Sequence, residues 1–129
     1  MINKIVLDAS ALLALIQEEP GTEIIKPLLS HSVMSAVNVA ETLTALQRIG
    51  ILTEEASTLI AEIITNIIPF DFEQAKLAAE LQNHAKHKGL SLEDRSCIAL
   101  GLQLQAPIYT ADRVWAELQL KNTNINLIR

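Results

Sequence analysis

Short apolar runs alternate along this chain with longer stretches whose apolar residues recur at helical spacing, and acids, hydroxyl residues, Pro or Gly mark the changeovers. Ile5-Val6-Leu7 is a β-strand pattern that ends at Asp8. Ser10 then opens a predicted helix over Ala11 to Gln17, closed by Glu18-Glu19-Pro20-Gly21. A second short helix is predicted from Thr22 to Leu29, with Pro27 kinking or breaking it. Ser32-Val33-Met34 reads as the next strand. Ser35 can cap a third helix whose residues Val39, Leu43 and Leu46 share a face, and Gly50 supplies its stop. Thr53 caps a fourth, with Glu54 and Glu55 favourably placed in its first turn. Its stripe of Ala56, Leu59, Ile60, Ile63, Ile64 and Ile67 is wide enough to predict burial on more than one side.

Asp71 followed by Gln74 has capping-box spacing and opens a fifth helix reaching Lys88, with Gly89 as terminator. Ser91 caps a sixth, from Leu92 to about Leu104, with Asp94 in its first turn. Pro107-Ile108-Tyr109-Thr110 reads as a buried strand ending at Ala111-Asp112. A short helix from Arg113 to Leu118 and a last strand over Ile125 to Ile128 complete the chain. Strands alternating with helices predict an α/β fold with a parallel sheet. With no internal repeat, low-complexity segment or linker, residues 1–129 are expected to form a single domain.

Composition narrows the chemistry. Half of the 129 residues are hydrophobic, 19% are charged and the mean hydropathy is +0.28. A domain of this size buries roughly two-thirds of its unfolded surface. One cysteine, Cys97, permits neither an internal disulfide nor a Cys-based zinc site, and it suits the core as a small hydrophobe. A reducing, cytoplasmic setting is therefore expected. Asp8 interrupts the first apolar run, so no signal-peptide core is expected, and no apolar stretch is long enough to span a bilayer. The net charge of −5 excludes a bulk cationic field for phosphate backbones, and 3% aromatic residues argue against base-stacking platforms. Any nucleic-acid chemistry must work through a local site or a metal.

Open α/β sheets bind ligands beyond the carboxyl ends of their strands. Asp8 and Asp112 each follow a predicted strand, and Glu41 and Asp94 lie on helices positioned to join them. Four carboxylates in one cleft raise one another's pKa unless a cation neutralises them. Hard oxygen donors without Cys or His partners select Mg2+ or Mn2+, ions that activate water and support in-line displacement at phosphorus. Each acid also has a local reading. Asp8 can form an Asx turn or cap the following helix, Asp94 can complete a capping box with Ser91, Asp112 can cap the helix before Trp115, and Glu41 can be an exposed helical glutamate. His31, His84 and His87 fall outside these segments and read as surface or loop residues.

Four blocks together resemble those of PIN-domain proteins: Val6-Leu7-Asp8-Ala9-Ser10-Ala11, Ser35-Ala36-Val37-Asn38-Val39-Ala40-Glu41, Leu90-Ser91-Leu92-Glu93-Asp94-Arg95 and Tyr109-Thr110-Ala111-Asp112-Arg113-Val114-Trp115. Within that family they are most similar to the toxins of VapBC-type toxin–antitoxin pairs. The resemblance implies a three-layer α/β/α fold with a central parallel sheet of four to five strands. It implies a metal-dependent endoribonuclease, with Asp8, Glu41, Asp94 and Asp112 as the catalytic cluster holding Mg2+ or Mn2+. By the same likeness Ser10, Asn38 and Thr110 are polar supports for the carboxylates or for metal-bound waters. Arg95 and Arg113 flank the acids as candidate RNA contacts, with Lys86 and Lys88 as further candidates. An antitoxin and a second copy of the chain are the implied partners, beside RNA. Glu93 departs from the family pattern, in which glycine is frequent before the third acid.

Two other classes remain in view. A catalytically silent PIN-like module would bind RNA or protein without cutting, although it would have no reason to keep all four acids. A phosphoacceptor domain would need a second acid two residues after Asp8, where the chain has Ser10, or an acidic pair after the first strand and a late lysine that the chain lacks.

Overall fold

The computed structural model describes residues 3–85 and 89–129. Within them β1 (Ile5–Leu7) leads into α1 (Ala9–Ile16), and α2 (Thr22–Ile25) continues as a 3-10 turn over Lys26–His31. Next come β2 (Ser32–Ser35), α3 (Ala36–Arg48), α4 (Thr53–Ile63), β3 (Asn66–Ile68), α5 (Phe72–Ala85) and α6 (Leu92–Leu104). β4 (Ile108–Thr110), a second 3-10 turn over Arg113–Glu117 and β5 (Ile125–Leu127) close the chain. The five strands pair in parallel in the order β3-β2-β1-β4-β5. From β1 the chain steps outward through β2 to β3, then crosses back to place β4 on the other side of β1. The switch point of this sheet therefore lies between β1 and β4.

Alternation along the central strand builds two cores. Val6, Val33 and Ile108 face one way, against Ala78 and Leu81 of α5, Ile98 and Leu100 of α6, and Trp115. Ile5, Leu7 and Met34 face the other way, against Ala11 and Leu12 of α1, Ile25 of α2, Ile60 of α4 and Ile128. Helices thus cover both faces of a five-stranded parallel sheet, the three-layer α/β/α arrangement that the resemblance implied. Each fully buried Leu or Ile contributes about 1.5–3 kcal/mol to this packing.

Several local expectations are corrected. The first helix starts at Ala9 with Asp8 in the cap position, one turn-edge earlier than Ser10 suggested, and the Asp8 side chain makes no cap hydrogen bond. Leu52, with extended backbone, occupies the cap position expected for Thr53. The fourth helix ends at Ile63, and Ile67 of the expected stripe belongs instead to β3, an edge strand paired with β2. Only Ala56 and Ile60 of that helix are fully buried, so its apolar stripe faces one core. The Asp71 box is half made. Gln74 N–H donates to Asp71 Oδ1, whereas the buried Gln74 carboxamide donates to Pro69 O and Gln103 Oε1. Pro27 falls at the start of the 3-10 turn, where its missing N–H costs little. The predicted end of α5 at Lys88 lies outside the described residues.

Candidate active site

β1 ends one residue before Asp8, and β4 ends at Thr110 beside it. Ladder pairing therefore brings two segments a hundred residues apart to one sheet edge, with Asp8 N–H donating to Tyr109 O at 3.0 Å. Asp8 is 4% exposed. Its Oδ2 accepts from Ser10 Oγ at 2.7 Å and from Thr110 Oγ1 at 2.9 Å. The two hydroxyls also lie 3.1 Å apart, Ser10 Oγ accepts from Ala111 N–H, and Thr110 Oγ1 accepts from Asp112 N–H. The carboxylate is thus fixed in position, and its supports tie β1 to the loop after β4. Burial pushes the Asp8 carboxyl above its usual range; the two hydroxyls oppose that rise and Asp94 adds to it.

Ser35, the last residue of β2, caps α3 by accepting from Val37 N–H, and so starts the helix at this same edge. Asn38 is fully buried one turn in. Its Nδ2 donates to Glu41 Oε1 at 3.2 Å and to Glu93 O at 2.9 Å, which orients Glu41 and binds α3 to α6. Both partners are acceptors, so the amide orientation is determined by chemistry. Burial pushes the Glu41 carboxyl up to about 7, with Asp8, Asp94 and Glu93 adding to the rise and the Asn38 bond opposing it.

Asp94 and Asp112 both realise their local readings. Asp94 N–H donates to Ser91 Oγ while Asp94 Oδ2 accepts from Ser91 N–H, a complete capping box on α6. Asp112 Oδ1 accepts from Val114 N–H and caps the 3-10 turn that buries Trp115. Each bond engages one carboxylate oxygen only. Burial raises the Asp94 carboxyl above its usual range, and Asp112 and Glu93 add to that rise. The acids form an electrostatically linked series, Asp112 to Asp94 to Asp8 to Glu41, with Glu93 at its rim.

Every donor in this series is a hard oxygen, and mutual repulsion is what a divalent cation relieves. Asn38 Oδ1, buried beside Glu41, has no hydrogen-bond partner among the described residues. The residues therefore suit Mg2+ or Mn2+ in chemistry and charge. Among the described residues no group of three or more His, Cys, Asp or Glu is arranged to hold a metal ion, so the fit is not that of a finished coordination shell.

The expected cationic residues divide. Arg95 directs Nη1 to Ala78 O on α5 at 2.9 Å, and its Nε is buried without a partner. That placement gives it a role between α5 and α6, because the arginine follows Asp94 by one residue and points round the helix from it. Arg113 is exposed, next to Asp112. Lys86 and Lys88 lie outside the described residues, as does His87. Cys97 is fully buried, with its thiol pushed well up by burial, as suits a core hydrophobe.

Two features escaped the sequence. Glu93 takes part through its backbone carbonyl, which spacing cannot reveal. A groove of about 400 Å3 also runs along α3 from Glu41, lined by Val37, Ala40, Glu41, Thr44, Arg48 and Glu93. Arg48 could have been suspected from its place two turns beyond Glu41 on the same helix. A separate cavity of about 410 Å3, lined by Leu77, Leu81, Leu102 and Leu120 among others, contains none of the four acids.

The fold has known likenesses. A toxin–antitoxin complex, DNA-bound VapBC from Salmonella typhimurium, contains a chain that superposes with a TM-score of 0.75 at 12% identity, over 99% of this chain and 100% of that one. FitAcB from Neisseria gonorrhoeae gives 0.68 at 20% identity, over 94% and 95%. VapC20 from Mycobacterium tuberculosis, a sarcin-ricin loop cleaving toxin, gives 0.72 at 16% identity, over 94% and 99%. At these identities the likeness is one of fold. A search of curated proteins found no match. The sequence model of the PIN domain matches residues 5–120, the span from β1 to beyond Trp115 that carries all four acids and the switch point between β1 and β4. By that match, and by the layered sheet it spans, the chain belongs to the PIN domain family.

Proposed function

We propose that this chain is a metal-dependent endoribonuclease that hydrolyses RNA phosphodiester bonds as the toxin of a type II toxin–antitoxin module. The observation that carries the reading is Asp8: a buried carboxylate held by Ser10 and Thr110 at the switch point and electrostatically linked to Glu41 and Asp94. Such repulsion adds nothing to the stability of the fold, which supports a functional role for the cluster. Asp8, Glu41, Asp94 and Asp112 are the residues that would hold Mg2+ or Mn2+. Bound there, the ion supplies charge neutralisation, an acidified water and Lewis-acid polarisation of the phosphodiester.

The chain's own groups do the positioning. Ser10 and Thr110 keep Asp8 from rotating, Asn38 sets the direction of Glu41, and the Ser91 box and the 3-10 cap set Asp94 and Asp112. In this reading Arg113, exposed beside Asp112, is a candidate contact for an RNA phosphate. The partners in this reading are RNA, a cognate antitoxin that covers the cleft, and a second copy of the chain, with the whole chain acting as one domain in the cytoplasm. No helix among the described residues is long and apolar enough to cross a membrane.

A silent PIN-like module that binds RNA or protein is the second reading, favoured by the absence of a ready three-ligand group among the described residues. One assay separates the two. Purified wild type and Asp8→Asn are incubated with total RNA in Mg2+, Mn2+ or EDTA and new ends are mapped. Discrete cuts made by wild type alone, and lost in EDTA, are expected. Asp8→Asn cutting at the wild-type rate would falsify the assignment, and a folded, antitoxin-free wild type that never cuts favours the silent module.

A further inference from the structure

The groove beside Glu41 has one feature that the cluster does not use. Val37, Ala40, Glu41, Thr44 and Arg48 follow one another along a single face of α3 at helical spacing, and Glu93 forms the facing wall from α6. The groove therefore runs from Glu41, the one acid of the cluster that lines it, with Glu93 opposite, to a guanidinium. Seven residues of helix place the Arg48 backbone roughly 10 Å from that of Glu41.

Arg48 is the only cation among the groove's lining residues, and it is exposed. Its side chain forms no ion pair among the described residues. The sequence offers it no local acid either: the helical positions three and four residues before it are Ala45 and Thr44, and α3 ends at Arg48 itself. An arginine in the last turn of a helix complements the helix dipole wherever it points. That alone would not require it to line a groove whose far end is walled by Glu41 and Glu93. In a chain of net charge −5, a lone guanidinium a short distance from the acids is the one element of the groove complementary to a phosphate.

We propose that this groove carries the RNA strand away from the acids, and that Arg48 binds the backbone phosphate of a neighbouring nucleotide. The inference rests on the nuclease reading and deepens it. Arg48 is a positioning residue: it fixes the register of the strand, while bond breaking stays at the acids. The small side chains of Ala40 and Thr44 leave room for a ribose–phosphate chain between the two ends, and Thr44 Oγ1, which donates to Ala40 O, presents no charge to repel it.

Steady-state cleavage of a short single-stranded RNA of mixed sequence in Mg2+, at several salt concentrations, tests this with Arg48→Gln and Arg48→Glu. Lys4→Gln is the control, since Lys4 is exposed just before β1, at the opposite end of the sheet from the acids. Arg48→Gln is expected to raise KM about three- to tenfold with kcat unchanged, and Arg48→Glu to raise it further. The slope of log kcat/KM against log salt should fall by about 0.7, as for one lost phosphate contact to a single strand. Lys4→Gln should leave both unchanged. A role confined to the helix dipole would move melting temperature and leave KM and the salt slope alone, which overturns the proposal. Unchanged kinetics with an altered oligomeric state on size exclusion also overturns it, in favour of a contact between copies of the chain. Wild type that cuts no RNA in Mg2+ or Mn2+ overturns the nuclease reading and this one together, whereas wild type that cuts and an Arg48→Gln variant that matches it removes only this one.

Discussion

At the residue scale the acids differ in what else they do. The Asp8 side chain makes no cap hydrogen bond; the bonds to Asp8 fix its carboxylate and tie β1 to the loop after β4, and the Asn38 bond orients Glu41. Asp94 serves both the cluster and the first turn of α6. Substitution separates its two roles. Asp94→Asn keeps an oxygen for Ser91 N–H, while Asp94→Ala loses it, so urea denaturation should find the Asn variant more stable than the Ala variant by about 1 kcal/mol. Both should lose RNA cleavage. An Asp94→Asn enzyme with wild-type cleavage would reduce Asp94 to a cap. The strand-end and helix-start positions of these acids were legible in the sequence, because each lies within a few residues of the strand or cap that places it. Arg95 was not, because its direction depends on where α5 packs.

Elements are held at this edge by close approaches elsewhere. The turn between α1 and α2 needs Gly21, whose φ is +101° and whose added Cβ would collide with Ile128 O. That contact clasps the turn after α1 to the end of β5, and Arg129 Nη1 reinforces it by donating to Glu19 Oε1 and Pro20 O. Gly50 also has a left-handed φ of +92°, yet nothing lies within 4 Å of an added Cβ there. The two sites should respond differently to alanine. Gly50→Ala should cost about 1 kcal/mol, the backbone strain alone, and Gly21→Ala clearly more because backbone must move as well. Equal losses in chemical denaturation would refute the clasp. The sequence marked both glycines as helix punctuation, but only packing distinguishes them. It also made one helix out of what are α4 and β3. Ile60, Ile63, Ile64 and Ile67 fit a helical period, and a three-residue strand is recognisable only by its ladder with β2.

For the whole molecule, the cluster makes stability depend on pH and on cations. Burial first, then neighbouring charge, raises Asp8, Glu41 and Asp94 above their unfolded values, so the native state binds protons more tightly than the unfolded state. Stability then falls as pH rises from the ordinary carboxylate range through the raised values, which for Glu41 reach about 7. In EDTA the melting temperature should drop between about pH 5 and pH 8, and Glu41→Gln should flatten the upper part of that drop. Mg2+ should restore stability near pH 8 and have less effect near pH 5, where Glu41, raised to about 7, already holds its proton. A melting temperature in EDTA that rises steadily over this range would contradict the electrostatic account of the cluster.

The chain by itself determined the alternation of strands and helices, the α/β class and the four blocks that place the acids, since all of these arise from side-chain periodicity and capping within a dozen residues. Tertiary structure decided the rest. The order β3-β2-β1-β4-β5 sets Thr110 against Asp8, Asn38 reaches a carbonyl 55 residues away, and α3 and α6 enclose the groove that ends at Arg48. These pairings join segments with no local relation, and their partners are chosen by which apolar faces the two cores can bury together.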